Sequence, residues 1–378
     1  MPIPKKSQTE GSAAFSPDGF FAAWSKGELI APYDNDFRKF IIKSFGLRLD
    51  DQYGYRATAE VTLLSAQSHV DAGAANGLHT WYRDTAGQPC LLIQRPNPNA
   101  ADVATYTDIF RPTTVTSKAI TAFASNAKKE TVRADIAKHL HALYAPPDAA
   151  RKLQINKSKG HVNPYFDVSA WAFQNLEWAG PEERTVNIKY SHAILPVLYH
   201  HFGCVCPSYE ALSYIRQIAQ GRPILDIGSG NGYWTYMLRR FEVQAKKQLT
   251  VIAVDNGLSE WRTMWIGDTI EADGHKWLQQ NQGGKDGLLL LVYPMVGMDF
   301  TSKMIKAYKG TTIVSAGAQN ASGFTAFAKE TIADWMAREM PAWQKVLQVP
   351  LPSFPGKDEA LFIFEKQAET NGQASAGA

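Results

Sequence analysis

Asp226-Ile227-Gly228-Ser229-Gly230-Asn231-Gly232 follows the short apolar run Pro223-Ile224-Leu225 and precedes a stretch in which Trp234, Met237, Leu238 and Phe241 recur at helical spacing. Strand, glycine loop and helix in that order are a building unit of an open α/β sheet, where ligands sit in a crevice outside the carboxyl ends of the strands. Glycines at alternate positions let the backbone turn through positive φ and approach a ligand with no Cβ in between. The helix that follows offers free N–H groups to an anion such as a carboxylate. Asp226 stands where it can accept from an ammonium group, directly or through water.

Outward from the loop, strands and helices alternate. Ser208 is expected to cap a helix carrying Ala211, Leu212, Ile215 and Ala219, closed by Gly221. Leu249 to Val254 reads as a second strand ending at Asp255, a third short strand falls near Thr269 to Ala272, and Leu288 to Val292 is a buried-strand run. Asp299 is expected to cap a helix through Met304, Ile305 and Tyr308 to Gly310, and Thr311 to Ser315 is again strand. A longer helix, Phe324 to Met340, stops at Pro341; Trp343 to Val349 and Ala360 to Glu365 are two strands with no helix between them. The pattern predicts an α/β fold: a Rossmann-like three-layer αβα sheet, mostly parallel with an antiparallel edge strand.

The region before about residue 205 is less regular. Asp36 should cap a short helix with Phe37, Phe40, Ile41 and Phe45 on one face and Gly46 at its end. Residues 129 to 144 place Val132, Ile136, Leu140 and Leu143 at helical spacing before Pro146-Pro147, and Cys90 to Gln94 is a candidate strand. The expected organisation is a disordered leader (1–18), a mostly helical N-terminal accessory region (19–205), a ligand-binding α/β domain (206–367) and a disordered tail (368–378).

The loop spacing is D-x-G-x-G-x-G. The nicotinamide fingerprint G-x-G-x-x-G needs glycine or alanine at 233, where this chain has Tyr233, so an oxidoreductase reading is disfavoured. With its neighbours, from Arg222 to Lys366 and including the closing strand pair, the stretch resembles motif I of class I S-adenosylmethionine-dependent methyltransferases. Tyr199 to Pro207, Ser208 to Leu212 and the later Leu-Leu-Leu-Leu-Val-Tyr-Pro also resemble an uncharacterised methyltransferase-like subgroup, in which the segment leads into the cofactor domain and covers the site.

The resemblance implies S-adenosyl-L-methionine as cofactor, with its amino-acid end at Asp226, Gly228, Ser229, Gly230, Asn231 and Gly232. Asp255 would hold both ribose hydroxyls, two carboxylate oxygens matching two donors, and Asn256 would line the same edge. Asp273, with Gly274 giving a planar base room, would accept the adenine amino hydrogen; Asp268 is its rival. Tyr293 would face the transferring methyl, either through cation–π attraction to the sulfonium or as packing under the N-terminal region.

Composition sets the outer limits. With 45% apolar and 20% charged residues, the 378-residue chain belongs among globular proteins, and a formal charge of +3 gives no strong nucleic-acid signal. Three cysteines, Cys90, Cys204 and Cys206, point to a reducing, cytoplasmic setting, and no apolar run is long enough for a signal peptide or a membrane span. Tyr199-His200-His201-Phe202-Gly203-Cys204-Val205-Cys206 holds metal-ligating residue types, but their crowding argues against a tetrahedral site, so no metal is expected. His201 is read as structural rather than as a proton acceptor. The carboxylates Glu330 and Asp334 read as solvated helix residues, and the tryptophans from 234 to 343 as core or helix-face positions. No catalytic residue is identified. The expected activity is methyl transfer to an unidentified acceptor, a small molecule favoured over a protein; the alternative is a non-catalytic S-adenosylmethionine-binding or regulatory protein of the same fold.

Overall fold

In the first 205 residues helices dominate. The computed structural model describes residues 14–47, 52–55, 59–76, 98–188, 192–241 and 248–367; the expected strand at Cys90 to Gln94 and the tail 368–378 lie outside them. Helix α1 (Pro17–Ser25) begins where Ser16 Oγ accepts from Gly19 N–H, so Pro17 and Asp18, expected in the disordered leader, instead open a capped helix. Helix α2 (Phe37–Phe45) forms as predicted: Asp36 accepts from Lys39 N–H, and Gly46 ends it at φ 64°. A small antiparallel hairpin, β1 (Gln52–Tyr55) and β2 (Ala59–Thr62), precedes α3 (Leu63–Asn76), α4 (Ala100–Asp108), α5 (Thr116–Ser125) and α6 (Val132–Leu143). Helix α6 starts at Val132 because Thr131 caps it by accepting from Ala134 N–H. Helices α7 (Pro164–Asn175) and α8 (Ile194–Phe202) complete the region.

Then the alternation begins: α9 (Tyr209–Ala219), β3 (Ile224–Ile227), α10 (Tyr233–Arg240), β4 (Val251–Asp255), β5 (Ile270–Glu271), α11 (Gly274–Gln280), β6 (Leu288–Val292), α12 (Phe300–Ala307), β7 (Thr312–Ala318), α13 (Ile332–Glu339), β8 (Trp343–Pro350) and β9 (Glu359–Lys366). The strands form one seven-stranded sheet in the order β5-β4-β3-β6-β7-β9-β8. Strands β3 to β7 pair in parallel, and β9 runs antiparallel between β7 and β8. This is the expected Rossmann-like three-layer sheet, mostly parallel with an antiparallel edge: β9 is the reversed strand, and β8 beyond it runs in the direction of β7. The outer strand β8 is covered in turn: Ala145, just after α6, exchanges two backbone hydrogen bonds of 2.8 Å with Gln348.

Several local expectations change. Gln220 takes the C-cap position of α9 at φ 50°, one residue before the expected Gly221, which follows at φ 83°. Asp299 precedes α12 at φ 53° but makes no side-chain cap. The helix expected from Phe324 begins only at Ile332, where Thr331 Oγ1 accepts from Asp334 N–H; upstream, Thr325 Oγ1 instead accepts from Ala318 N–H at the end of β7. Glu330 therefore lies before the helix, paired with Arg338.

Two apolar clusters cover the two faces of the sheet. One joins Ile224, Leu288, Leu290 and Val314 to α8, α9, α10 and the helices of the N-terminal region; the other joins Ile227, Leu289, Leu291 and Phe362 to α11, α12 and α13. Burial on both faces explains why β6 reads as an unbroken apolar run. Among the described residues no helix is long and apolar enough to cross a membrane.

Candidate functional site

Strands β3 and β6 are adjacent although far apart in sequence, so the chain reverses direction along the sheet at β3, and the crevice of a doubly wound sheet opens there. At that point lies a cavity of about 1030 Å³. Its floor is the glycine loop with Val254 to Asn256 at the end of β4; Ala272 to Lys276 wall one side and Val292 to Val296 the other; Phe202, Gly203 and Cys204 reach in from the end of α8.

The loop is bent by its glycines. Gly228, Gly230 and Gly232 have φ of 78°, 58° and 78°, a region that costs other L-residues about 1–2 kcal/mol. A Cβ on Gly230 would meet Trp261 Cζ2 at 2.9 Å, and one on Gly232 would meet Ile266 Cγ1 at 2.4 Å. Asp255 ties the loop to β4: its Oδ2 accepts from Gly230 N–H and its Oδ1 from Gly257 N–H, both at 2.9 Å. Burial raises the Asp255 carboxyl above its usual range, and the backbone N–H groups oppose that rise. With the N–H groups of Gly230, Gly257 and Asn256 all acting on it, the two-oxygen carboxylate still has acceptor capacity for a further donor. Ser229 Oγ is buried at the loop with no hydrogen-bond partner among the described residues.

The remaining sequence candidates divide. Gly228, Ser229, Gly230, Asn231, Asp255, Asn256, Asp273, Gly274 and Tyr293 all line the cavity. Gly232 and Asp226 are not among the lining residues. Asp226 lies fully buried under the loop, its Oδ2 accepting from Thr235 Oγ1 on α10 (2.6 Å), and burial lifts its carboxyl to about 7. Asn231 is engaged in holding the loop, donating to His201 O (3.2 Å) and accepting from Tyr233 N–H (3.2 Å). Asn256 closes a turn by accepting from Leu258 N–H. Asp273 caps α11, its Oδ1 accepting from Lys276 N–H at 2.9 Å. The space spared by Gly274 faces the sheet: a Cβ there would meet Ile227 Cγ2 at 2.4 Å and Met304 Sδ at 3.2 Å, so packing of α11 on β3 demands this glycine. The rival Asp268 is on the surface, paired with Arg239 at 2.8 Å and outside the cavity lining.

Tyr293 follows β6 at φ 49°, a strained position for a tyrosine, with its N–H donated to Ala316 O. Its ring lies 6.2 Å from that of Tyr199 on α8, so it meets both the cavity and the N-terminal region. His201 is buried, stacked on Phe45 at 3.8 Å between centroids and hydrogen-bonded to Thr263 Oγ1 at 2.7 Å; burial drives its basicity well down, which keeps the ring neutral. Cys206 is a buried free thiol. Among the described residues no group of His, Cys, Asp or Glu could hold a metal ion.

Residues not singled out in the sequence also line the cavity: Leu258, Trp261, Met295, Met298, Lys303 and Phe324. Trp261 is the exception to the core reading of the tryptophans. Its signal was its place in the loop that leaves β4 at Asp255; Met295 and Met298 were legible only as followers of Tyr293-Pro294.

Neither a protein-family model nor a curated protein matches the chain. Among solved structures, it is similar to the trans-methyltransferase CalH in complex with SAH (12% identity over 71% of this chain and 88% of that one, TM-score 0.32). It is similar as well to magnesium protoporphyrin IX methyltransferase of Synechocystis PCC 6803 with bound SAH (12% identity, 70% and 100% covered, TM-score 0.30). The N-methyltransferase NodS of Bradyrhizobium japonicum WM9 matches at 15% identity over 42% of this chain and 96% of its own, TM-score 0.26. At such scores the fold rests on this chain's own strand order.

Proposed function

We propose that the chain binds S-adenosyl-L-methionine and transfers its methyl group to an acceptor. The observation that supports this best is the convergence, in one cavity, of the left-handed glycine loop, Asp255 at the end of β4, Asp273 after β5 and Tyr293 after β6. The donor fits the residues present: the cavity of about 1030 Å³ is at the upper end of ordinary ligand sites, the loop offers a Cβ-free approach, and Ser229 Oγ has no partner among the described residues.

In this reading the loop and the N-terminal end of α10 hold the amino-acid end, with Asp226 fixing the loop from below instead of lining the cavity. Asp255 accepts from the ribose hydroxyls with the acceptor capacity that its backbone N–H donors leave, and Asn256 shapes that edge. Asp273 keeps Oδ2 for an adenine amino hydrogen while Oδ1 caps α11. Tyr293 presents its ring beside the reacting centre. When bound, the sulfonium supplies an electrophilic methyl carbon. The protein's own task is then alignment and exclusion of water, not proton chemistry by a tuned group. Residues 206–367 form the donor-binding domain, and 19–205 are an accessory region that shapes the acceptor side.

Isothermal titration with S-adenosylmethionine and S-adenosylhomocysteine, followed by radiolabelled methyl transfer into metabolite fractions, tests both halves. Binding heat with transfer is the expected result. No heat refutes the donor; heat without transfer into any fraction favours the non-catalytic binder.

A further inference from the structure

Beyond the donor half, the cavity extends between the loop that follows β6 and the end of α8. We infer that this second half takes an uncharged, largely apolar small molecule as methyl acceptor, held by the Met295 and Met298 side chains; the inference rests on the methyl-donor reading of the same cavity.

Four observations carry it. First, Met295 and Met298 are 45% and 75% exposed, and Leu258 on the opposite rim is 55% exposed; all three line this cavity. Large apolar side chains left in water around one opening mark a surface meant to be covered. Second, the loop bearing the methionines is held at a conformational cost. Tyr293, Met298 and Asp299 all have positive φ, at 49°, 48° and 53°. Such strain persists only where the surroundings enforce it, and it gathers at ligand clamps.

Third, the charge pattern is wrong for a polyanion. Among the described residues the lining contains no arginine and two lysines: Lys303 directs its ammonium at Met298 O (2.9 Å), which braces the loop, and Lys276 lies on α11 beside Asp273 on the donor side, with Glu260 adding an opposite charge. A nucleic acid would need a track of cations for its phosphates. Fourth, Phe202 at the end of α8 and Cys204 just beyond it also line the cavity, so the N-terminal region contributes to its walls. Methionine is unbranched and polarisable, so it moulds to flat or flexible apolar ligands.

The test uses the full chain saturated with S-adenosylhomocysteine and the neutral probe N-phenyl-1-naphthylamine, whose fluorescence rises in apolar surroundings. The expected result is one saturable site, weakened by about tenfold or more in Met295→Ser/Met298→Ser, a loss of about 1.4 kcal/mol, with S-adenosylhomocysteine affinity retained. Absence of a saturable site, or an affinity untouched by the double substitution, overturns the acceptor inference while leaving the donor reading in place. Failure of S-adenosylhomocysteine to bind the unsubstituted protein overturns the donor reading and this one with it. Competition of the probe by single-stranded RNA, weakening as salt rises, would overturn the inference in favour of a nucleic-acid acceptor.

Discussion

Replacing Asp255 with alanine separates a ribose-binding carboxylate from a merely structural one. The carboxylate accepts from Gly230 and Gly257 N–H at 2.9 Å each, with Asn256 N–H a further backbone donor. A hydrogen bond to a charged group is worth about 1.5–3 kcal/mol, so two ribose hydroxyls would contribute about 3–6 kcal/mol, or about 10²–10⁴ in Kd. Because the group is only partly shielded and already polarised by three backbone N–H donors, the lower end, about 10²-fold, is expected. Titration calorimetry with S-adenosylhomocysteine gives the loss, and a thermal melt of each protein checks the fold. A second ligand removes the structural ambiguity: a 2′-deoxyribose analogue should bind the native protein more weakly than the parent compound, and Asp255→Ala should no longer distinguish the two. Equal discrimination by both proteins, or an unchanged Kd in the variant, refutes the ribose role. The pH dependence has a defined sign. Burial raises the Asp255 carboxyl, and only its ionised form offers both oxygens as acceptors, so donor affinity should fall as pH is lowered through that raised value.

Further substitutions test the scaffold. Gly232→Ala combines a φ of 78° with a Cβ 2.4 Å from Ile266 Cγ1, and should cost about 2–5 kcal/mol in urea unfolding from strain and overpacking together; a midpoint within error of the native one would show the loop is softer than described. Asp226→Asn should stabilise the protein increasingly as pH rises. Burial lifts the carboxyl from 3.8 to about 7, so the native protein loses stability between those values as the folded state resists ionisation, by at most about 4 kcal/mol at 1.36 kcal/mol per unit, and the amide has nothing to ionise. A stability difference that is flat from pH 5 to 8 would contradict this. At the far edge of the sheet, His139 Nε2 pairs with the buried Asp358 at 2.8 Å; burial opposes the charged ring, but the bond and charge of Asp358 outweigh it and raise its basicity. The stabilisation is complete below pH 6.5 and lost as pH climbs through the raised value, so His139→Gln should cost about 1–3 kcal/mol near pH 6 and less at pH 9, as chemical denaturation at the two pH values can show.

What could be read from the chain beforehand depended on how local the determinants were. Strand β6 and the loop from Gly228 to Gly232 were legible because an unbroken apolar run and three glycines leave few alternatives. The helix expected from Phe324 was not, because Thr325 serves the end of β7 and Ala326 takes φ 60°; both are settled by contacts with distant residues. Asp226 and Asp273 were recognised as special, yet sequence could not tell an acid facing a ligand from one fixing its own scaffold; Thr235 Oγ1 and Lys276 N–H make that distinction. Gly274 was singled out for ligand access, whereas the side chains of Ile227 and Met304 are what exclude a Cβ. Trp261, Met295 and Met298 carried no periodic signal, since residues on loops at a cavity rim obey neither the 3.6 nor the 2.0 repeat.

The N-terminal region escaped a sequence reading for a related reason: its core is shared. Trp265, between β4 and β5, is almost fully buried against Phe15, Phe20 and Phe21 (ring centroids 5.1, 5.5 and 5.8 Å away), so neither part covers its own apolar surface. Polar bonds cross the same boundary. Tyr233 Oη donates to Asn163 Oδ1 (2.8 Å), and Trp178 Nε1 to Ser353 O (2.6 Å). Each of these buried groups would lose its partner if the parts separated, at about 1–3 kcal/mol apiece. The helices before residue 205 are thus joined to the glycine-loop side of the sheet as one packed body, and the end of α8 is fixed over the cavity. The sheet supplies the features any donor-binding crevice of this kind needs. On the proposed reading, the acceptor side of the cavity is shaped jointly by the end of α8 and by the strained loop after β6, segments whose packing, not their local pattern, determines their course.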